Sequence, residues 1–362
     1  MIDVNAPATS ATTVPVIRRL RVPSHVAFVA ISAALLSFFV AAGAPTPLFP
    51  LYEKSWGFAP SLLTVAFGVY AFGLIASLLV VGGLSDYVGR RPMLIGALLL
   101  ELVATIVFLF ATSIEWVILA RVLQGIATGV ASSTFGAAIV ELAPDRRKKL
   151  GALMTSLMTT AGLGIGALFA GLVAFAIPAA AATTVWIVLI VLMMAGTVFA
   201  ILTPETSARR PGARGSLVPR LAVPVQVRRL FAITAPSLVS MFLATALFLG
   251  LIPTILGGVF GVTQPLVGGV INFVMFGAAT LTAALANAIH PHALKLFGNI
   301  GILLGTVLIL AGIELHNLGP LWASAVIAGA GIGATFSGST RGLLPEVKPY
   351  ERAGLLAAIF TV

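Results

Sequence analysis

The sequence has 362 residues, 59% of them hydrophobic and 9% charged, with a mean hydropathy of +1.11. A soluble domain carries about 25% charged residues, so this composition excludes a water-exposed globule. The absence of cysteine excludes disulfides, zinc–thiolate sites and iron–sulfur clusters, and the net charge of +10 gives no nucleic-acid surface, because the basic residues lie in short loops between apolar blocks.

Residues 1–25 are polar and small, with Arg18, Arg19 and Arg21 just before the first apolar block. That block runs for about 22 residues, too long for the apolar core of a signal peptide, so 1–25 reads as a cytoplasmic tail. Apolar blocks then predict spans at 26–47, 61–83, 93–113, 116–139, 150–176, 182–203, 230–253, 265–289, 297–315 and 319–341. An eleventh begins near 353, and the sequence stops at Val362. Blocks longer than about 18 residues cross the hydrocarbon as helices, since every backbone polar group must be satisfied locally.

With the N-terminus inside, every Lys and Arg except Lys54 and Arg121 falls in a cytoplasmic segment. Such asymmetry sets orientation. The stretch from Pro204 to Arg229 is rich in Pro, Gly and Arg and reads as a linker. It divides an N-terminal six-helix bundle at 26–203 from an incomplete C-terminal bundle at 230–362, with the cytoplasmic linker at 204–229. An internal repeat supports that division: Thr134-Phe135 falls on Thr335-Phe336, Pro144 on Pro345 and Asp145 on Glu346, at an offset of 201. Gly151 falls on Gly354 two residues out of that register. Parallel halves related by an axis along the membrane normal are a recurrent transporter plan.

The loop between spans two and three reads Gly82-Gly83-Leu84-Ser85-Asp86-Tyr87-Val88-Gly89-Arg90-Arg91-Pro92. Gly82 and Gly89 permit close helix approach and a tight reversal. Asp86 is a carboxylate at a buried edge that wants a helix N-terminus or a cation. Arg90 and Arg91 suit the anionic inner leaflet. The loop resembles the major facilitator superfamily signature G-x-L-(a/s)-D-r-x-G-r-(r/k), with Tyr87 where an Arg often stands. The resemblance implies a conformational latch made by Gly82, Asp86, Gly89, Arg90 and Arg91, with Asp86 facing the region from Arg352 to Leu355.

Span four carries Arg121, Gln124 and Gly125, then Gly129. A lone arginine in a span is costly unless paired or hydrated. The spacing resembles the family's R-x-x-Q-G motif, which implies an arginine facing the central cavity and influencing proton transfer; an arginine snorkelling from the first turns is the alternative. Span five carries Gly162, Gly164, Gly166 and Gly171, spaced for close helix packing. It departs from the G-P-x-x-G-G of drug:proton antiporters by lacking the proline and one glycine. Glu101 is the one acid well inside a span. It is either a protonatable coupling group or neutral or paired within its own half, as the supporting place of helix three in the family implies.

Pro45, Pro47 and Pro50 close span one, and Pro204-Glu205-Thr206 reads as helix-stop chemistry after span six. His290 and His292 in a basic loop have no third ligand nearby, so no metal is expected. The family resemblance implies an all-α membrane protein with two six-helix bundles related by pseudo-two-fold symmetry. Ten to eleven of an expected twelve helices are present, so the resemblance implies a sequence incomplete at its C-terminal end. It further implies alternating-access transport of a small molecule, in the manner of bacterial drug-efflux members, with cavity candidates Ser37, Arg121, Ser237, Met241 and Thr335. The expected cargo is hydrophobic or amphipathic, exported against protons by a monomer without cofactors in the cell membrane. Sugar or organic-anion transport, a non-transporting remnant and a polytopic membrane enzyme are the other readings; the small external loops offer the enzyme little beyond Glu53, Lys54, Glu115, His316 and Asn317.

Overall fold

The computed structural model describes residues 21–144, 148–208, 210–213, 223–286, 289–347 and 352–361. The tail through residue 20, Asp145, Arg146, Arg147, Arg209, Arg214, Arg220 and Lys348 lie outside the described residues, as do the side chains of Lys149 and Arg352. Among the described residues, ten helical segments are long and apolar enough to cross a membrane.

The first span is built from α1 (Ser24–Gly43) and α2 (Pro45–Trp56). Pro45 stands at the start of α2, where its missing N–H costs little, so the two helices join at Ala44 with little break. Gly57, at φ 65°, closes α2 in a left-handed conformation that suits glycine, its N–H bonded to the Glu53 carbonyl at 2.8 Å. Then follow α3 (Ser61–Val81), a one-turn α4 (Ser85–Val88), α5 (Arg90–Leu109), α6 (Ile114–Leu142), α7 (Lys148–Ala176) and α8 (Ala181–Leu202). Beyond the linker come α9 (Arg228–Gly250), a short α10 (Ile252–Gly258), α11 (Pro265–Leu285), α12 (Pro291–Glu314), α13 (Leu318–Leu343) and α14 (Arg352–Thr361).

The protein is an all-α membrane protein with the fold that its signature loop implied. Buried hydrophobic residues gather in two large clusters, one running from Ala27 to Ala200 and the other from Val227 to Ile359, with a small third of Ala286, Leu294 and Ala334; Leu163 packs against both large ones. Large apolar side chains such as Phe72, Leu243 and Leu303 face outward, as surfaces solvated by lipid tails require. The two clusters meet where α7 packs on α11, where α3 meets α9 and α14, and where α2 meets α10 and α11. The contacts of α2 lie at the face opposite the basic loops.

Glycines set how closely the helices approach. In the first half Gly125 and Gly129 of α6 lie on the Tyr70 and Leu74 carbonyls of α3; in the second, Gly329 and Gly333 of α13 lie on the Met275 and Ala279 carbonyls of α11. A Cβ on any of the four would clash with backbone. The two pairs are copies of one small-xxx-small crossing. They relate the α6 and α13 glycines by an offset of 204, against the 201 read from matched letters. Apolar helices carry little positional information, so a letter match slips by about one turn, whereas a backbone crossing has one register.

The span from α12 also begins earlier than its hydropathy predicts, at Pro291 instead of 297. Pro291 starts the helix, and the His290 ring caps it by accepting from the His292 N–H at 3.3 Å. Lys295 therefore belongs to the helix, where its ammonium donates to the Thr234 hydroxyl at 3.1 Å.

Candidate functional site

Arg121, Gln124 and Thr128 recur along α6 at helical spacing and share one face. Gly125 admits the α3 backbone to that face, and this approach lays the Tyr70 ring over the Arg121 guanidinium, 3.9 Å from the ring centroid, with Phe67 at 5.4 Å. Arg121 donates to the Gln124 Oε1 at 2.6 Å, and Gln124 Nε2 donates to the Glu101 Oε1 at 2.7 Å and to the Ala41 carbonyl at 3.2 Å. One amide thus bridges a guanidinium and a carboxyl carried on different helices. It also ties α1, α5 and α6 together.

The surroundings complete the network. The Thr128 hydroxyl donates to the Gln124 carbonyl at 2.7 Å, the Tyr70 hydroxyl reaches Thr128 at 3.4 Å, and the Thr105 hydroxyl donates to the Glu101 carbonyl at 2.7 Å. Glu101 and Gln124 are fully buried and Arg121 is 3% exposed, so neither charge meets solvent here. Glu101 Oε2 has no hydrogen-bond partner in the protein. Removing one charge from such a set leaves the other stranded in low dielectric, and that sensitivity to a single proton is its chemical property. The structure therefore brings together Arg121, Gln124, Gly125 and Glu101. The bridging role of Gln124 follows from a helix–helix register that spacing alone does not contain.

A second cluster lies on the basic face. Arg90 makes an ion pair with Asp86 at 2.6 Å and with Glu141 at 3.1 Å, and its guanidinium also bonds the Ser85 hydroxyl. The Thr206 hydroxyl donates to Glu141. Glu205, read from sequence as helix-stop chemistry, accepts from the backbone N–H of Arg90 at 2.7 Å and of Arg91 at 3.2 Å. It accepts as well from the N–H groups of Thr206 at 3.1 Å and Ser207 at 3.2 Å. The first two are orphan donors of the α5 N-terminus, where a carboxylate is favoured. Gly89, at φ 108°, leaves no room for a Cβ beside that carboxylate. Gly82 sits on the Leu78 carbonyl at the end of α3. Asp86 is half exposed and paired within its own loop; α14, which carries Arg352 to Leu355, packs on α3.

The span-five glycines face two ways. Gly162 and Gly166 meet α1 at Phe39 and Val40, while Gly164 and Gly171 meet α11 at Phe276 and Leu266. Of the other cavity candidates, Thr335 points its hydroxyl at Gly298 of α12, away from the first half. Ser237 accepts from Asn299 at 2.8 Å within the second half. Met241 is buried in the second cluster and Ser37 is half-buried. No group of three or more metal-ligating side chains occurs among the described residues.

The family model described as Major Facilitator Superfamily matches residues 29–362. The protein is also 30% identical over 104 residues to "Inner membrane transport protein YnfM" of Escherichia coli, an alignment that spans 28% of this protein and 25% of that one.

Proposed function

The protein belongs to the major facilitator superfamily, and from that premise we propose that it exports small hydrophobic or amphipathic molecules by alternating access, driven by protons. The observation that carries the reading is the buried relay from Glu101 through Gln124 to Arg121. It joins the buried carboxyl of α5 to the buried guanidinium of α6 inside one half, beside the helix α3 that touches the other half.

Protonation of Glu101 removes the negative end of the relay and weakens its pull on Gln124. Arg121 is then held by Gln124, the Ala66 carbonyl and the two rings, and its preferred position shifts. Because Tyr70 and Phe67 both sit on α3, a shift of Arg121 is felt at the contact between the halves. The cluster of Asp86, Arg90, Glu141 and Glu205 acts as the latch at the basic face, which the excess of Lys and Arg places in the cytoplasm of a multi-pass protein of the cell membrane. The two halves, at 26–203 and 230–362, move as units about the 204–229 linker. The transporting unit is a monomer. Substrate crosses between the halves, along surfaces that are mostly apolar or hydroxylic.

The test is accumulation of a dye and antibiotic panel in cells expressing the protein, with and without a protonophore. Expression lowers accumulation of at least one compound, the protonophore restores it, and Glu101→Gln abolishes the difference. No change for any compound would sink the exporter reading.

A further inference from the structure

Asn272 lies seven residues into the 21-residue α11, roughly 10 Å along the helix and about a third of the way through the span. It is fully buried, and neither its Nδ2 nor its Oδ1 has a hydrogen-bond partner in the protein. Buried amides are nearly always satisfied, because desolvating both a donor and an acceptor without replacement is costly. An orphaned pair on one side chain inside a membrane span requires a reason.

Its place on the helix supplies one. Gly269 and Phe276 of α11 mark the strip against α7, and Met275 and Ala279 mark the strip against α13. At 100° per residue, Asn272 falls between these strips, where α11 turns from α7 of the first half to α13 of the second. Gly268, one turn away on the same side, lies near Leu256 of α10, and both α10 and α11 meet α2. The crossing of α3 with α6, repeated as α11 with α13, gives the same position independently. Tyr70 corresponds to Met275 and Leu74 to Ala279, an offset of 205 that carries Phe67 onto Asn272. Phe67 stands between the halves, 5.3 Å from the Phe49 ring and in contact range of Gly250.

We infer that Asn272 is a substrate-contacting residue that selects neutral molecules presenting a hydrogen-bond donor on the same edge as an acceptor: primary amides, lactams and ureas with a terminal NH2. The inference rests on the transport reading and deepens it. The carboxamide offers one donor edge and one acceptor edge, which an amide group matches reciprocally. A cation finds no counter-charge on the second half's helices here, since residues 230–313 contain no Asp or Glu. The apolar neighbours on α11 accept the rest of an amphipathic molecule. With no ligand bound, the side chain keeps an unmet pair that only a matching ligand repays, and a ligand lacking the donor leaves one edge unmet.

The probes are 4-hexylbenzamide, whose primary amide carries an N–H on the same edge as its carbonyl, and methyl 4-hexylbenzoate, whose ester has no donor, and the readout is thermal unfolding of the purified full-length protein in detergent. The amide raises the Tm of the wild type at concentrations about tenfold lower than the ester, and Asn272→Leu removes that preference. Asn272→Leu without ligand melts a few degrees higher, because an orphaned amide has been replaced by a side chain of similar volume. Equal or absent shifts for amide and ester in the wild type overturn the inference, since the wild type needs no variant to show the preference. An Asn272→Leu protein that melts lower or does not fold overturns it as well, because the amide then has a structural role. Failure of the proton-driven export reading shows separately, in the accumulation assay, and leaves this binding result as it stands.

Discussion

Replacing Gln124 by Leu removes the bridge between Arg121 and Glu101 while keeping nearly the same volume, so the change is electrostatic and not a cavity. Three hydrogen bonds are lost, two of them between helices, to Glu101 and Ala41, and one within α6, from Arg121. Interhelical bonds in membranes average about 0.6 kcal/mol and reach about 1.7, while a hydrogen bond to a charged group contributes about 1.5–3. The sum for Gln124→Leu is a loss of about 3–6 kcal/mol, most of it from charges left stranded beside one another. Reversible unfolding of the purified protein in mixed micelles measures it. A double-mutant cycle with Glu101→Leu separates the bridge from the residue: the two substitutions together cost less than their sum by about 1 kcal/mol or more. A loss under about 1 kcal/mol, or additivity within about 0.5 kcal/mol, refutes the bridge.

Gly166→Ala places a Cβ against the Val40 carbonyl of α1 and costs about 1–3 kcal/mol, whereas Gly96→Ala, with open space around its Cα, is tolerated; yield of monodisperse protein separates the two. Glu205→Ala uncaps α5 and costs about 1–2 kcal/mol in the same unfolding assay, with little effect from Ser207→Ala, whose backbone N–H remains. Tyr52→Phe removes the hydroxyl that accepts from Trp186 at 2.7 Å and costs about 1 kcal/mol, visible also as a change in tryptophan fluorescence. Asp86→Ala, by breaking the ion pair with Arg90, lowers the rate of export in cells without changing the amount of protein in the membrane; undiminished export removes the latch role.

Much of the architecture is legible in the sequence because membrane spans obey a length rule and a charge rule that need no tertiary knowledge. The ten apolar blocks, the eleven-residue loop and the Arg121–Gln124 spacing are all local signals. What is missed is registry between helices. Glu101 and Gln124 lie on separate spans, and no single sequence says that their side chains meet. Glu205 is invisible for a different reason: Pro204 explains the helix end before it, and the helix N-terminus that its carboxylate caps begins 115 residues away at Arg90. The letter repeat at 201 and the structural repeat at 204 differ because threonine and phenylalanine recur easily in apolar helices. A glycine on a carbonyl recurs only where two backbones cross. Thr335 is expected in the cavity from its helix alone; its rotation about that helix turns it toward Gly298.

Proton flux out of everted membrane vesicles, followed by dequenching of an acridine dye, bears most directly on proton-driven export. With the vesicle interior acidified, addition of a compound identified in the accumulation panel releases protons outward and restores the fluorescence for the wild type, and does so far more weakly for Glu101→Gln. Recovery of equal size in Glu101→Gln, or none in the wild type with a compound that it demonstrably exports, contradicts proton coupling through the Glu101–Gln124–Arg121 relay.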